Sequence, residues 1–183
     1  MLILLPPSEK KKETSSPTPA ISVYNGVLYQ ALDWLSLSAS AKKRATSSVV
    51  IISAKYGAIT PDTRIETYKE KINNKKMAAQ VAHALDDKES ELIIDCRSST
   101  YQTVWQSPVA ITVEIKVFTK VEGAKKVITH MSKKTRGEVT CEILRAPEIP
   151  KTPYDLQAIV SQKFECELFE GSKKKPWVLE VYC

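Results

Sequence analysis

Short, uniformly apolar runs mark three places where the chain is predicted to form buried strands. Residues 2–5, 49–52 and 92–96 are each rich in Leu, Ile or Val and too short for a helix. Runs of this kind are typical of central strands that are covered on both faces. Residues 110–119 alternate instead between apolar and polar side chains, a pattern that predicts a half-buried strand.

Two further stretches predict strands that pair through turns. Residues 125–131 are expected to return antiparallel to the alternating strand, after a turn at residues 121–124. Residues 164–169 and 177–182 are expected to form a closing pair of strands around a basic turn, residues 173–175.

Apolar positions recur at helical spacing in three other stretches, residues 26–35, 77–85 and 153–162. A short basic helix is predicted over residues 39–46, and another helix is predicted to begin within residues 132–137. Strands and helices together predict an α/β (α+β) fold, in which a mixed β-sheet is flanked by helices.

The length of 183 residues suits one domain with a real core, so residues 1–183 are interpreted as a single domain. Residues 11–19 contain no apolar side chain, and residues 11–23 are predicted to be a flexible loop. The longest apolar runs are strand-sized, which argues against a membrane span, and no basic region precedes the apolar N-terminus. A cytoplasmic location is therefore expected.

Each of the three buried strands is followed at once by a polar loop. In open α/β sheets, ligands bind outside the carboxyl ends of the strands. If the three strands are parallel neighbours, their loops converge on one cleft. The candidate binding residues of these loops are Lys10, Ser53, Tyr56, Arg97 and Ser98.

Positive charge is concentrated in one part of the chain. The net charge is +6, and between residues 116 and 136 seven Lys or Arg residues stand against a single acid, Glu122. Such a patch is the electrostatic footprint expected for nucleic acid or another polyanion. It is also compatible with a solvated hairpin that only confers solubility.

Lys133, Lys134 and Arg136 stand where a helix is predicted to begin, and the positive end of the helix dipole disfavours cations there. A bound anion would resolve this conflict, because backbone N–H groups and basic side chains would then point at one partner. Alternatively, the three side chains simply extend into water. The adjacent Gly137 is expected to allow the close approach of another backbone or of a ligand.

Other chemistry finds little support in the sequence. The four cysteines are scattered and there are only two histidines, so no metal site and no cofactor are predicted. No glycine-rich nucleotide motif, P-loop or Ser/His/Asp pattern is present, and no catalytic residue is assigned. Tyr29, Trp34 and Trp105 are interpreted as core residues, because aromatic side chains dominate core burial.

Five segments of the chain carry a further signal: Leu2-Ile3-Leu4-Leu5-Pro6-Pro7-Ser8-Glu9-Lys10, Gly26-Val27-Leu28-Tyr29-Gln30-Ala31-Leu32, Ser53-Ala54-Lys55-Tyr56-Gly57 with Pro61-Asp62 and Tyr68-Lys69, Asp95-Cys96-Arg97-Ser98 with Tyr101, and His130-Met131-Ser132-Lys133-Lys134-Thr135-Arg136-Gly137. In this order they resemble the successive motifs of the YaaA peroxide-stress family. The resemblance implies a cytoplasmic bacterial protein with a mixed α/β fold and a basic cleft. It also implies a role in resistance to hydrogen peroxide, by limiting free iron and oxidative damage to DNA and protein.

The resemblance further implies DNA binding in the cleft, with a helix-hairpin-helix element nearby; no enzymatic reaction is settled for the family. This sequence is shorter than typical members. A Ser/Thr/Pro loop replaces the helical segment expected between Lys10 and Tyr24, and the region after Lys69 is trimmed. The missing segment is where the helix-hairpin-helix element is expected, which favours a small phosphate ligand over duplex DNA.

Two functional hypotheses follow. In the first, a stress-protective protein binds DNA or another polyanion without sequence specificity, and any effect on iron is indirect. In the second, an enzyme acts on a nucleotide or similar phosphate-bearing substrate, with a lysine whose pKa is lowered by neighbouring cations as base or nucleophile. The first hypothesis uses Lys133, Lys134 and Arg136 together with Lys10. The second uses polar loop residues that face the basic helix start, namely Ser8, Ser53, Tyr56, Ser98 and Tyr101. The candidate anion-binding residues taken together are Lys10, Ser53, Tyr56, Arg97, Ser98, Lys133, Lys134 and Arg136.

Overall fold

The computed structural model describes residues 1–121 and 124–183, so the predicted turn at residues 121–124 lies partly outside the described residues. The strands are β1 (Leu2–Leu5), β2 (Thr18–Pro19), β3 (Val49–Ser53), β4 (Gly57–Ile59), β5 (Arg64–Ile65), β6 (Ile93–Asp95), β7 (Thr112–Val121), β8 (Ala124–Lys126), β9 (Glu165–Phe169) and β10 (Trp177–Tyr182). The α-helices are α1 (Ala20–Val23), α2 (Val27–Leu32), α3 (Ala39–Ser48), α4 (Asn74–Leu85), α5 (Ser99–Gln102), α6 (Thr129–Arg145) and α7 (Pro153–Val160).

Within the described residues, eight of these strands form one mixed sheet. Its centre consists of β3, β1, β6, β7 and β10, which lie side by side in that order and run parallel. β4 and β9 are antiparallel edge strands, and β8 pairs antiparallel with β7. β2 and β5 pair with each other in a separate two-stranded sheet. The predicted α/β fold with a mixed sheet and flanking helices is confirmed.

Both faces of the central strand β1 are buried, which explains its uniformly apolar sequence. Ile3 and Leu5 pack into a hydrophobic cluster that includes side chains of α2, α3 and α6. Leu2 and Leu4 point to the opposite face and pack in a second cluster with Met77 of α4. Successive side chains of a strand alternate between faces, so helices must cover both sides of the sheet.

Side-chain caps fix where two of the helices begin. At α3, the Ser38 hydroxyl accepts a hydrogen bond of 3.2 Å from the Ala41 N–H. At α7, Thr152 and Asp155 form a reciprocal capping box, and Pro153 occupies the first helical position, where no N–H is required. These caps agree with the predicted helix starts near residues 39 and 153.

The segment 11–23 contains more regular structure than the flexible loop predicted for it. β2 pairs with β5, and α1 follows β2 directly. Ala20 and Val23 of α1 are fully buried. The prediction is therefore corrected: the apolar residues that end this segment pack in the core and hold it in place, whereas residues 12–17 lie between regular elements.

The hairpin strand β8 is shorter than predicted, and α6 begins earlier. α6 starts at Thr129, and the Ser132 N–H already donates a hydrogen bond of 2.8 Å to the Ile128 carbonyl. Lys133, Lys134 and Arg136 therefore lie beyond the first turn, where the N–H groups are bonded within the helix. The predicted conflict between these cations and the helix dipole is weaker than expected, because the dipole acts mainly in the first turn.

Two glycines stand where the backbone requires them, and Gly137 allows the close backbone approach expected of it. Gly57 has a φ of 72°, in the left-handed region that favours glycine. Gly137 lies where α6 crosses α2, and a Cβ placed on it would stand 2.1 Å from the Leu28 carbonyl oxygen and 3.0 Å from the Ala31 Cβ. Only glycine lets the two helix backbones approach this closely.

Candidate functional site

The loops after β3, β1 and β6 meet at one edge of the sheet, as the sequence predicts. These three strands are parallel neighbours, so their carboxyl ends lie together. A cleft with a volume of about 1110 Å³ opens at this edge. Loop residues after β1 and β6, the start of α2 and the first turns of α6 form its walls. This is the position where open α/β sheets hold ligands.

Five of the eight candidate residues line this cleft, namely Lys10, Arg97, Ser98, Lys133 and Arg136. Ser53 and Tyr56 do not reach the cleft surface, and Lys134 lies outside it. Lys134 points to the outer face of α6, where its ammonium group is 3.9 Å from the Glu138 carboxylate one turn later. The two neighbouring lysines of α6 thus have different surroundings.

The described residues that line the cleft carry more positive than negative side chains. Eight of them are Lys or Arg and three are Glu. The cations are Lys10, Lys11, Lys69, Lys71, Arg97, Lys116, Lys133 and Arg136. The acids are Glu9, Glu70 and Glu114, of which Glu114 pairs with Lys116 at 3.5 Å.

Arg97 is held by Asp95 in a buried ion pair. Its Nε and Nη2 donate hydrogen bonds of 2.9 and 2.8 Å to the two carboxylate oxygens, and its backbone N–H donates to the same side chain at 3.0 Å. Nη1 donates to the Tyr101 carbonyl at 3.1 Å. Arg97 is only 1% exposed, so it anchors the loop after β6 and offers little charge to a ligand.

Arg136 has no comparable partner among the described residues. Its guanidinium is half-buried in the wall of the cleft, and within that part of the chain it donates two long bonds of 3.4 Å to the Ile115 carbonyl. Among residues 1–121 and 124–183, no carboxylate forms a salt bridge with it. Burial lowers the pKa of Arg136, an effect that the nearby Cys96 and Asp95 oppose. A guanidinium stays protonated at neutral pH, so an unpaired cation faces the cleft.

Ser132, one helical turn before Arg136, also lines the cleft. Its hydroxyl is buried without a hydrogen-bond partner in the described structure, and the same holds for the Thr135 hydroxyl, which lies away from the cleft. Buried polar groups are normally paired, so an exception calls for an explanation such as an absent ligand or water.

Ser53 and Tyr56 support the cleft from below. The Ser53 hydroxyl accepts hydrogen bonds from the backbone N–H groups of Lys55 and Tyr56, at 3.3 and 3.1 Å. The Ser53 hydroxyl is also hydrogen-bonded to the Tyr68 hydroxyl at 2.9 Å, which in turn is 2.8 Å from the Tyr24 hydroxyl. This hydroxyl chain fixes Tyr68, which lines the cleft.

Lys11 is a cleft residue that sequence reasoning missed. Its ammonium group stands 4.0 Å from the centre of the Tyr68 ring and 5.9 Å from that of Tyr24. Burial lowers the pKa of Lys11, although Glu70 and Glu9 act in the opposite direction. The signal was present in the basic run after β1, but the sequence alone did not separate Lys11 from its neighbours.

Cys96 lies beneath the cleft and is fully buried. Burial raises the pKa of its thiol to about 12, so the thiolate that reacts with oxidants is scarce at neutral pH. In the part of the chain that the structure describes, no group of three or more His, Cys, Asp or Glu side chains could hold a metal ion. None of the described helices has both the length and the hydrophobicity to cross a bilayer.

An α/β protein with a ligand-sized cleft at the carboxyl edge of its parallel strands is the class that this fold and site define. Comparison with known proteins identifies the family within that class. The model of the family described as peroxide stress protein YaaA matches residues 8–168, and the chain belongs to this family.

Curated relatives carry the family designation UPF0246. A Streptomyces coelicolor protein is 31% identical in an alignment of 181 residues; the match covers 92% of this chain and 70% of the relative. A Corynebacterium glutamicum (strain ATCC 13032) protein is 32% identical in an alignment of 145 residues, and the match covers 72% of this chain and 57% of the relative. A Streptococcus pneumoniae (strain P1031) protein is 26% identical in an alignment of 136 residues, and the match covers 69% of this chain and 56% of the relative. The chain thus matches 56–70% of the length of these three relatives.

Proposed function

We propose that this chain acts in peroxide-stress protection by binding DNA or another polyanion in the cleft. Membership of the peroxide stress family supports the biological role. The excess of Lys and Arg over Glu among the cleft-lining residues supports a negatively charged ligand. A concave basic site concentrates anions and speeds their association.

The observation that carries the proposal is the state of Arg136. An arginine that is half-buried and, among the described residues, lacks a carboxylate partner is costly to keep unless something compensates its charge. Arg97, in the same cleft, shows how the fold satisfies a guanidinium when no ligand is needed. The contrast between the two arginines favours an external anion as the partner of Arg136.

A DNA titration with two charge-matched variants tests this proposal. Changing Lys10, Lys133 and Arg136 together to Ala is expected to weaken duplex binding at least about tenfold. The number of counter-ions released on binding, which the salt dependence of the affinity reports, should fall by roughly three. The matched control changes Lys173, Lys174 and Lys175 to Ala; these are exposed and lie outside the cleft. Fluorescence anisotropy over a salt series measures both quantities.

Equal losses of DNA affinity in the two triple variants would mean that binding depends only on the net charge of the protein, and this result would contradict the proposal. Duplexes of unrelated sequence should compete equally well for the protein, because binding is expected to be independent of DNA sequence. The cleft presents long Lys and Arg side chains, which suit phosphate contacts, rather than a helix or β-ribbon placed to enter a DNA groove and read base edges.

Lys11 supports a second candidate, an enzyme that acts on a phosphate-bearing substrate. A lysine whose pKa is lowered by burial has a larger fraction of neutral amine than an ordinary lysine, and the neutral amine can act as a base or nucleophile. The sequence-based hypothesis expected neighbouring cations to lower such a pKa; in the structure, burial is the cause. The Tyr68 ring that this amine faces is held in place by the hydroxyl chain of Ser53, Tyr68 and Tyr24.

The reactivity of Lys11 should reveal this amine directly. With a limiting amount of acetic anhydride, modification of Lys11 should rise with pH and reach half its plateau at a lower pH than expected for an ordinary lysine. The direction follows because a lowered pKa leaves more neutral amine at any given pH. Peptide mass spectrometry reads the extent of modification at Lys11 and at the exposed Lys12, the internal reference. Parallel curves for both lysines would remove the basis of the enzyme candidate.

A further inference from the structure

One face of α6 presents several anion-binding groups to the cleft together. Thr129, Ser132 and Arg136 follow one another at spacings of three and four residues, so they share a face, and all three line the cleft. Thr129 is the first residue of this 17-residue helix. The backbone N–H groups before Ser132 have no acceptor inside the helix, and they carry the positive end of its dipole.

Ser132 provides an observation that is independent of the helix terminus. The side chain is only 5% exposed, lines the cleft, and its hydroxyl has no partner among the described residues. A buried hydroxyl without a partner destabilises the protein, so a ligand oxygen that accepts from it would recover that loss. Arg136 has donors to spare, since a guanidinium carries five N–H groups and here makes two long bonds.

We propose that the first two turns of α6 form a recessed site for a phosphate monoester, with Ser132, Arg136 and the helix N-terminus as its donors. The proposal rests on the proposed function only in that both place an anion in this cleft. A monoester has three free oxygens and carries close to two negative charges at neutral pH. A fork of guanidinium donors, a hydroxyl and backbone N–H groups matches that shape and charge.

The depth of Ser132 in the cleft distinguishes this site from a site for the phosphodiester backbone of DNA. Lys10 and Lys133 are exposed, whereas Ser132 is buried in the wall. A phosphodiester of a duplex lies on the outside of a wide, stiff rod and meets the exposed lysines first. A terminal phosphate, on a small molecule or at the 5′ end of a strand, can enter far enough to reach Ser132.

Calorimetric titration of the full chain with four probes tests the site. Adenosine 5′-monophosphate is expected to bind at least about tenfold more tightly than adenosine 3′,5′-cyclic monophosphate, a diester, and adenosine is expected not to bind. Inorganic phosphate should compete with the monoester. Affinity for the monoester should rise between about pH 5 and pH 7.5, because its second proton is lost near pH 6. Equal affinity for monoester and diester would overturn the proposal.

Two conservative variants and a control localise the binding. Ser132→Ala removes the unpaired hydroxyl without a change of charge, and Arg136→Lys keeps the charge but removes the fork. Each is expected to weaken monoester binding about tenfold, whereas Lys134→Ala, on the outer face of α6, should leave it unchanged. Wild-type affinity in both cleft variants would overturn the proposal.

Further arms separate the ligand sources and the two proposals. Preference for a 5′-phosphorylated oligonucleotide over its 5′-hydroxyl form would identify strand ends as ligands; equal binding of the two forms alongside tight monoester binding would identify small molecules. Ser132→Ala should leave duplex affinity unchanged. Duplex binding without monoester binding would refute only the recessed site, and monoester binding without duplex binding would refute only the binding of duplex DNA.

Discussion

Replacing Asp95 with Ala is expected to lower the free energy of unfolding by about 3–5 kcal/mol, because it leaves the Arg97 guanidinium buried without its counter-charge. Both side chains are almost completely inaccessible, and the carboxylate accepts two guanidinium bonds and one backbone bond. The loss should also loosen α5, since the same guanidinium donates to the Tyr101 carbonyl. Urea unfolding followed by circular dichroism measures the change.

A second substitution isolates the cost of the unpaired charge. In the double variant Asp95→Ala with Arg97→Met, the buried cation is replaced by a flexible apolar side chain that suits irregular core space. This variant is expected to be more stable than Asp95→Ala alone, since well-packed apolar pairs often substitute for buried ion pairs. If the double variant loses as much stability as Asp95→Ala and Arg97→Met lose in sum when made separately, the two residues act independently and the explanation fails.

The centre of the sheet could be predicted from the sequence. The residues of β1 and β3 are apolar at consecutive positions, and such strands need cover on both faces, which places them in the middle of a parallel sheet. Once those strands are neighbours, the loops that follow them must meet at one edge. The position of the cleft follows from this reasoning alone.

The residues that face the cleft could not be predicted so directly. Lys133 and Lys134 differ by one position, yet a helix turns by about 100° per residue, so one reaches the cleft and the other pairs with Glu138. The difference depends on where α6 begins, and the return strand predicted over residues 125–131 places that start too late.

The basic run after β1 shows the same limit at shorter range. Lys10, Lys11 and Lys12 are chemically identical, and only a backbone bridge between Lys11 and Tyr24 decides which side chain packs on the tyrosines. Ser132 was invisible for a different reason. A serine within a helix gives no sequence signal, and only the absence of a partner for its buried hydroxyl distinguishes it.

Gly137→Ala is the other substitution with a large expected effect. Alanine is the better helix former by about 0.8–1.0 kcal/mol, which alone would stabilise α6. Its Cβ, however, would stand 2.1 Å from the Leu28 carbonyl oxygen, closer than any real contact of this kind. Overpacking typically costs about 1–3 kcal/mol and occasionally more, so we expect a net loss of roughly 2 kcal/mol in urea unfolding.

Two controls distinguish the clash from a general effect on the helix. Lys134→Gly, at an exposed position of α6, should cost about 1 kcal/mol of helix propensity and about 0.2–0.5 kcal/mol for the lost pair with Glu138. Adding Ala31→Gly to Gly137→Ala should restore little, because the shortest contact is with a backbone atom that no substitution of Ala31 removes. Full rescue by Ala31→Gly would show that the side-chain contact, and not the backbone, sets the distance between the helices.

The same substitution connects the core to the cleft. α2 and α6 each supply wall residues, among them Tyr29 on one side and Ser132 and Arg136 on the other. To accommodate the Cβ at residue 137, the two helices must separate, which moves these walls apart. Gly137→Ala is therefore expected to weaken phosphate monoester binding as well as stability, while Lys134→Gly should spare binding. A folded Gly137→Ala variant with wild-type affinity would show that the walls of the cleft move independently of the helix crossing.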